Sequence, residues 1–350
     1  MKMFLNKDIL EDIIGLYEYY PNLFKIICDK SNVILDMSEE NLDELLKNSE
    51  SVITQCINGY DISHRTSEGI LERLKNDIGL MICEPRALFF LDVEKEEAEQ
   101  MRLEYGIMVI SSKDIDDTIF NKGIFTYRID DGIEYSGTIQ NQWATVMQEI
   151  RLLPFNSLVI SDPYLFNTAN HNIEDCISNI QGFLCAILPQ HLSGEMHIVF
   201  FTDSIPPGMN QEINNAIGRI ASAVRIGRDY DIVIEYVLCS CLHQRKAISN
   251  YYVIVIDKGL LTFKRLPHGN NQKIKSVGVN KIIGFSVYEN AKNSVGQSEY
   301  SIITRDLKDL NKIYNNCKAL CNSDNADPTK RILGTKHKDK TIVNRLINNF

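Results

Sequence analysis

Apolar and polar positions along the first 110 residues alternate between two periods. Leu10, Ile13, Ile14 and Tyr17 recur at helical spacing with Asp8 and Asp12 on the other side, which predicts a helix over residues 3–20 ended by Pro21. Phe24–Cys28 and Val33–Leu35 are short apolar runs of strand type. Ser38, followed by Glu39 and Glu40, caps a predicted helix through Leu46, and another runs from Ser67 through Ile70, Leu71 and Leu74. Leu80–Ile82 and Ala87–Leu91 are predicted as buried strands, Glu94–Glu104 as an acidic helix and Ile107–Ile110 as a strand. Strand, helix and strand at these lengths predict βαβ units and a mostly parallel sheet.

Residues 113–150 are predicted as a connector, with a hairpin-like stretch Tyr127–Tyr135 around Asp130-Asp131-Gly132 and the single tryptophan, Trp143. Beyond it the α/β rhythm sharpens. Strands are predicted over Ser157–Ser161, Met196–Phe201, Ile232–Val237, Leu238–Arg245, Tyr252–Ile256 and Leu260–Phe263. Helices are predicted over Ile173–Leu188 and Gln211–Val224. The expected fold class is therefore α/β in two domains. An acidic unit with a mostly parallel βαβ sheet occupies residues 1–112, an α/β sandwich residues 151–325, and a basic C-terminal tail residues 326–350.

Charge changes this picture in one respect. The net charge of −9 argues against coating by nucleic acid, but residues 1–150 hold 14 basic and 29 acidic side chains, whereas residues 151–350 hold 23 and 17. An acidic half is thus joined to a mildly basic one. Lys330, Arg331, Lys336, Lys338, Lys340 and Arg345 crowd the last 21 residues against Asp339 alone. A solvated terminus is the preferred reading of that tail over a polyanion-contacting one, because it carries no aromatic stacking pattern. Nine cysteines scattered through apolar runs read as reduced intracellular thiols. No apolar stretch is long enough for a membrane span, and the first residues meet acid too early for a signal peptide, so a cytoplasmic protein is expected.

The most informative stretch is Cys239-Ser240-Cys241-Leu242-His243-Gln244-Arg245-Lys246-Ala247-Ile248-Ser249-Asn250. On a strand, alternate residues share a face, so His243 and Arg245 are expected side by side. A guanidinium offers a bidentate fork to a phosphate, and an imidazole beside it offers a nucleophile or a proton carrier. Cys239, Cys241 and His243 on one strand face also admit a zinc reading. One strand cannot wrap a tetrahedron, so buried small side chains are preferred there. Upstream, Leu158-Val159-Ile160-Ser161 runs straight into Asp162-Pro163-Tyr164.

His243-x-Arg245 followed by Asn250 resembles a decayed copy of the phospholipase D motif, His-x-Lys-x4-Asp. Together with Asp162-Pro163-Tyr164 and the turn Asp257-Lys258-Gly259-Leu260, residues 155–265 resemble the phospholipase D-like domain found behind MIT domains, and its bacterial relatives. The resemblance implies an α/β sandwich with His243 as the catalytic histidine, Arg245 and Asn250 as phosphate ligands, and Asp162 and Tyr164 in support. Asp162 is expected either to supply the missing carboxylate or to serve only as a turn initiator. It also implies bacterial anti-phage defence or toxin systems as a setting.

Departures from the catalytic pattern limit what carries over. Enzymes of that family use two His-x-Lys motifs and this chain has one, so cleavage would need His243 from two subunits of a homodimer. Asn250 stands where a carboxylate would orient the imidazole, whereas Arg245 keeps the phosphate contact. The expected function is recognition of a phosphate-bearing ligand or nucleic acid, or of a protein partner, without cofactor. The alternative is a phosphodiesterase or nuclease. A second version of that alternative places Mg²⁺ on Asp36 and Asp92, acids at strand C-termini of the N-terminal half, as in nucleases of the PIN class. Membrane-surface binding, known among the MIT-linked relatives, is permitted by the basic tail but lacks an amphipathic anchor.

Overall fold

Buried apolar runs set four of the five strands of the first unit, and distant side chains set two of its helix starts. The computed structural model describes residues 1–350 other than 30, 122, 151, 167–170, 204–208, 240–243, 267–272, 289–298, 322–330, 335–343 and 349–350. The chain divides into two units, Met1–Lys122 and Gly123–Phe350. Both are mixed α/β, and each contains parallel strands.

In the first unit the elements are β1 (Lys2–Leu5), α1 (Lys7–Gly15), α2 (Pro21–Cys28), β2 (Asn32–Leu35), α3 (Glu39–Lys47), α4 (Val52–Tyr60), β3 (Ser63–Thr66), α5 (Ile70–Asn76), α6 (Ile78–Ile82), β4 (Leu88–Leu91), α7 (Lys95–Tyr105) and β5 (Met108–Ser111). The sheet order is β3-β2-β1-β4-β5 with every pairing parallel. Phe4 stacks on Phe89 across β1 and β4, 5.2 Å between ring centroids.

Three sequence expectations fail here for identifiable reasons. Residues 3–20 are not one helix: Met3, Phe4 and Leu5 are buried in β1, and Asn6 then caps α1 by accepting from the Ile9 amide at 2.9 Å. Phe24–Cys28 is helix rather than strand, and Pro21 begins it instead of ending its predecessor. The cap of α2 comes from Asp117, whose carboxylate accepts from the amides of Asn22 and Leu23 at 3.1 and 2.8 Å. A cap that distant in sequence leaves no local signal. Leu80–Ile82 lies in the short helix α6, a three-residue apolar run that periodicity alone does not decide.

In the second unit the elements are β6 (Phe125–Ile129), β7 (Glu134–Ser136), α8 (Ile139–Met147), β8 (Ser157–Ser161), α9 (Ile173–Ile187), β9 (Met196–Thr202), α10 (Asn210–Arg225), β10 (Ile232–Leu238), β11 (Lys246–Ser249), β12 (Tyr252–Ile256), β13 (Phe263–Arg265), β14 (Lys273–Ser276), β15 (Asn280–Ser286), α11 (Glu299–Cys321), β16 (Arg331–Gly334) and α12 (Arg345–Asn348). An eight-stranded sheet runs β16-β10-β9-β8-β11-β12-β15-β6, and a small one β13-β14-β7. β8, β9 and β10 are parallel, whereas β11, β12, β15 and β6 pair antiparallel. Ile234 and Tyr236 of β10 face the core shared with α8, α9 and α10. The intervening Glu235 faces the other way, toward Tyr314 of α11.

From Gly123 onward, the stretch expected as a connector is built into this unit. β6 pairs with β15 and β7 with β14, so the expected hairpin does not form. Trp143 of α8 is fully buried and donates its indole N–H to Asn179 Oδ1 at 3.1 Å. Gly182 lets α8 and α9 approach, since a Cβ there would lie 2.9 Å from the indole. Of the strand expected over Leu238–Arg245, residues 240–243 lie outside the described residues; β10 ends at Leu238 and β11 begins at Lys246. Part of the expected basic tail is structural as well. β16 pairs antiparallel with β10, and Asn344 is buried, its amide donating to the carbonyls of Leu158 and His197 at 3.0 Å each. Lys330, Lys336, Lys338 and Lys340 lie outside the described residues.

Candidate functional site

Where β8 ends, a buried carboxylate organises two turns. Asp162 is 2% exposed; its Oδ1 accepts from the Tyr164 amide at 3.0 Å and its Oδ2 from the Leu260 amide at 2.7 Å. The first bond closes an Asp-Pro-Tyr turn at the strand end. The second ties that turn to the one after β12, where Gly259 has φ +82°. A Cβ at Gly259 would lie 2.5 Å from Asp162 Oδ2, so both backbone conformation and space require glycine. Burial pushes the Asp162 carboxyl above its ordinary range, opposed by the Leu260 and Tyr164 amides and by the charge of Arg245.

Arg245 sits on what Asp162 has arranged. Its guanidinium carbon is 5.1 Å from the centroid of the Tyr164 ring, and its Nη1 donates to the Asp257 carbonyl in the Gly259 turn. The Arg245 carbonyl accepts from the Ile256 amide at 2.9 Å, which holds the residue at the entrance to β11. Its Nε is buried without a hydrogen-bond partner among the described residues. Among the described residues no carboxylate lies within 4.0 Å of the guanidinium. A fixed cation with a buried, unused donor is a seat suited to an oxyanion, and leaving such a donor unpaired costs about 1–3 kcal/mol.

The other sequence-predicted residues are distributed as follows. His243, like Cys241 of the zinc reading, lies outside the described residues. Tyr164 is partly exposed and forms the stacking face under Arg245. Asn250 is not a phosphate ligand beside Arg245. It is fully buried at the opposite end of β11, accepting from the amides of Asn156 and Ser157 at 3.2 and 3.0 Å. Five residues of extended chain separate the two, about 16 Å at ~3.3 Å per residue, too far for one phosphate to touch both. Asp162 likewise serves as a backbone acceptor, by a bond to Leu260 that the turn reading did not include.

The acids proposed for Mg²⁺ in the first unit are occupied otherwise. Asp36 accepts from the amides of Gly69 and Leu71 at 2.5 and 3.2 Å and so fixes the start of α5. Asp92 is exposed, with Lys113 Nζ 3.4 Å away. Among the described residues no group of three or more His, Cys, Asp or Glu is placed to hold a metal ion, and no helix is long and apolar enough to cross a membrane. Cys28, Cys56, Cys83, Cys176, Cys185, Cys239 and Cys317 carry free thiols. Sequence reasoning missed the Asp257 carbonyl as the guanidinium's acceptor, because a main-chain oxygen carries no residue signature. Comparison with known proteins finds no matching family model and no matching curated protein.

Proposed function

We propose that the second unit is a phospholipase D-like module that recognises a phosphate-bearing ligand, nucleic acid included, without cleaving it. The observation that carries this reading is the seat of Arg245: a guanidinium laid on Tyr164, tethered at one nitrogen, with a buried Nε that none of the described residues uses. The order of β8, Asp162-Pro163-Tyr164 and the Gly259 turn supports the family resemblance, and the Asp162–Leu260 bond gives its two short motifs a shared physical role. Binding is favoured over turnover because Asn250, which replaces the family's carboxylate, is committed to the backbone of Asn156 and Ser157. The bacterial defence setting rests on the resemblance alone.

The test offers the protein single- and double-stranded DNA and RNA with and without Mg²⁺, beside Arg245→Ala and His243→Ala. Expected is binding without cleavage, weakened at least about tenfold by Arg245→Ala, the loss of one charge-assisted contact. Metal-independent cleavage abolished by His243→Ala would overturn the reading in favour of a phosphodiesterase acting through a pair of subunits. Cleavage that requires Mg²⁺ and survives His243→Ala would move the chemistry away from Arg245.

A further inference from the structure

Arg245 is flanked in sequence by two side chains that converge on a single carboxylate. Gln244 Nε2 donates to Asp306 Oδ1 at 3.2 Å and Lys246 Nζ to Asp306 Oδ2 at 2.8 Å. Asp306 belongs to α11 and is 1% exposed. Gln244 and Lys246 both reach Asp306, whereas Arg245 between them reaches the Tyr164 ring and the Asp257 carbonyl, so the clamp and the oxyanion seat diverge from the same stretch of backbone. Lys246 is in register with Ser161, the residue before Asp162, which puts the clamp level with the seat.

We infer that Asp306 is a positioning residue for Arg245. Holding residues 244 and 246 from one carboxylate fixes the backbone between them, and with it the direction in which the Arg245 side chain leaves the chain. The pair is nearly out of water, where the Lys246–Asp306 attraction is opposed by desolvation, so its value is expected in geometry more than in stability. An anion site loosened by its supporting residues loses affinity steeply. The inference rests on Arg245 being the anion-binding group.

Two readouts separate this inference from that reading. The first needs no ligand. The rate at which phenylglyoxal, an arginine-selective reagent, modifies Arg245 is followed by peptide mass spectrometry, and Asp306→Ala is expected to raise it several-fold while Asp306→Asn, which keeps the shape and one acceptor, raises it less. The second is affinity for inorganic phosphate. Asp306→Ala should weaken it about tenfold, and should change nothing further in an Arg245→Ala background, the signature of a coupled pair. If Asp306→Ala fails to fold, Gln244→Ala with Lys246→Met serves in its place. An unchanged modification rate in a folded variant overturns the positioning role. An equal loss of phosphate affinity in both backgrounds overturns it too. A raised modification rate in a protein that binds no phosphate would uphold the positioning role and refute the anion-binding reading.

Discussion

Asp36 and Asp162 stand at equivalent places in the two units. Each follows a buried strand, and each spends both carboxylate oxygens on backbone amides, Gly69 and Leu71 for one and Tyr164 and Leu260 for the other. They differ in what those amides belong to. In the first unit the carboxylate anchors only the start of α5. In the second it anchors two turns, and the pieces so fixed, the Tyr164 ring and the Asp257 carbonyl, cradle Arg245. Both acids are thus backbone acceptors, and only the one whose anchored elements carry a third group becomes part of a site.

The largest effect expected from this comparison is at the turn. Gly259→Ala forces a side chain into a positive-φ position and against Asp162, and should cost about 3 kcal/mol or more in chemical denaturation. A loss below about 1 kcal/mol would mean that the Asp162–Leu260 junction is loose in solution.

Glu235 sharpens the comparison from the opposite side, because it is buried without backbone amides. Its Oε1 is 3.4 Å from the Tyr314 hydroxyl and its Oε2 has no partner among the described residues. Burial raises its pKa to about 7, with Tyr314 and Lys318 opposing. The folded state thus holds this proton more tightly than the unfolded chain, so the contribution of Glu235 to stability is fully present below about pH 4.5 and is lost as pH rises through about 7. Between pH 5 and 8 the wild type should lose about 2 kcal/mol more than Glu235→Gln, as measured by urea unfolding across that range. Parallel pH profiles for the two proteins would refute the assignment.

Asp162→Asn retains one acceptor of two and should cost about 1–2 kcal/mol together with phosphate affinity. Asp36→Ala should cost about 1 kcal/mol, the loss of a helix cap, and leave phosphate affinity unchanged. If thermal unfolding and phosphate titration showed the two variants to be alike in both respects, the contrast between the units would fail.

The architecture was legible in the sequence where burial was complete. β4, β8, β9 and β10 are runs buried along their whole length, and Ser38 announced α3 through a cap it does make. Legibility failed wherever a partner lies far along the chain. Asp117 caps α2 from the other end of its unit, and β6 finds its mate in β15 rather than in β7. At the site, the residue types were visible in sequence but their use was not. Asn250 read as a ligand because it follows Arg245 at a motif spacing, although a strand of that length carries it to the far end of β11. Asp306, which touches both neighbours of Arg245, lies some sixty positions away with no motif around it.

The central claim is that the Arg245 guanidinium is an oxyanion seat, and its buried Nε is the atom to watch. In a two-dimensional ¹H–¹⁵N spectrum of arginine side chains, the Nε resonance assigned by its absence in Arg245→Ala should shift progressively as inorganic phosphate is added and saturate at one equivalent. The same titration of Asp36→Ala should reproduce the wild-type curve. An Arg245 Nε signal that stays fixed through the titration, while the protein remains folded, would contradict the account.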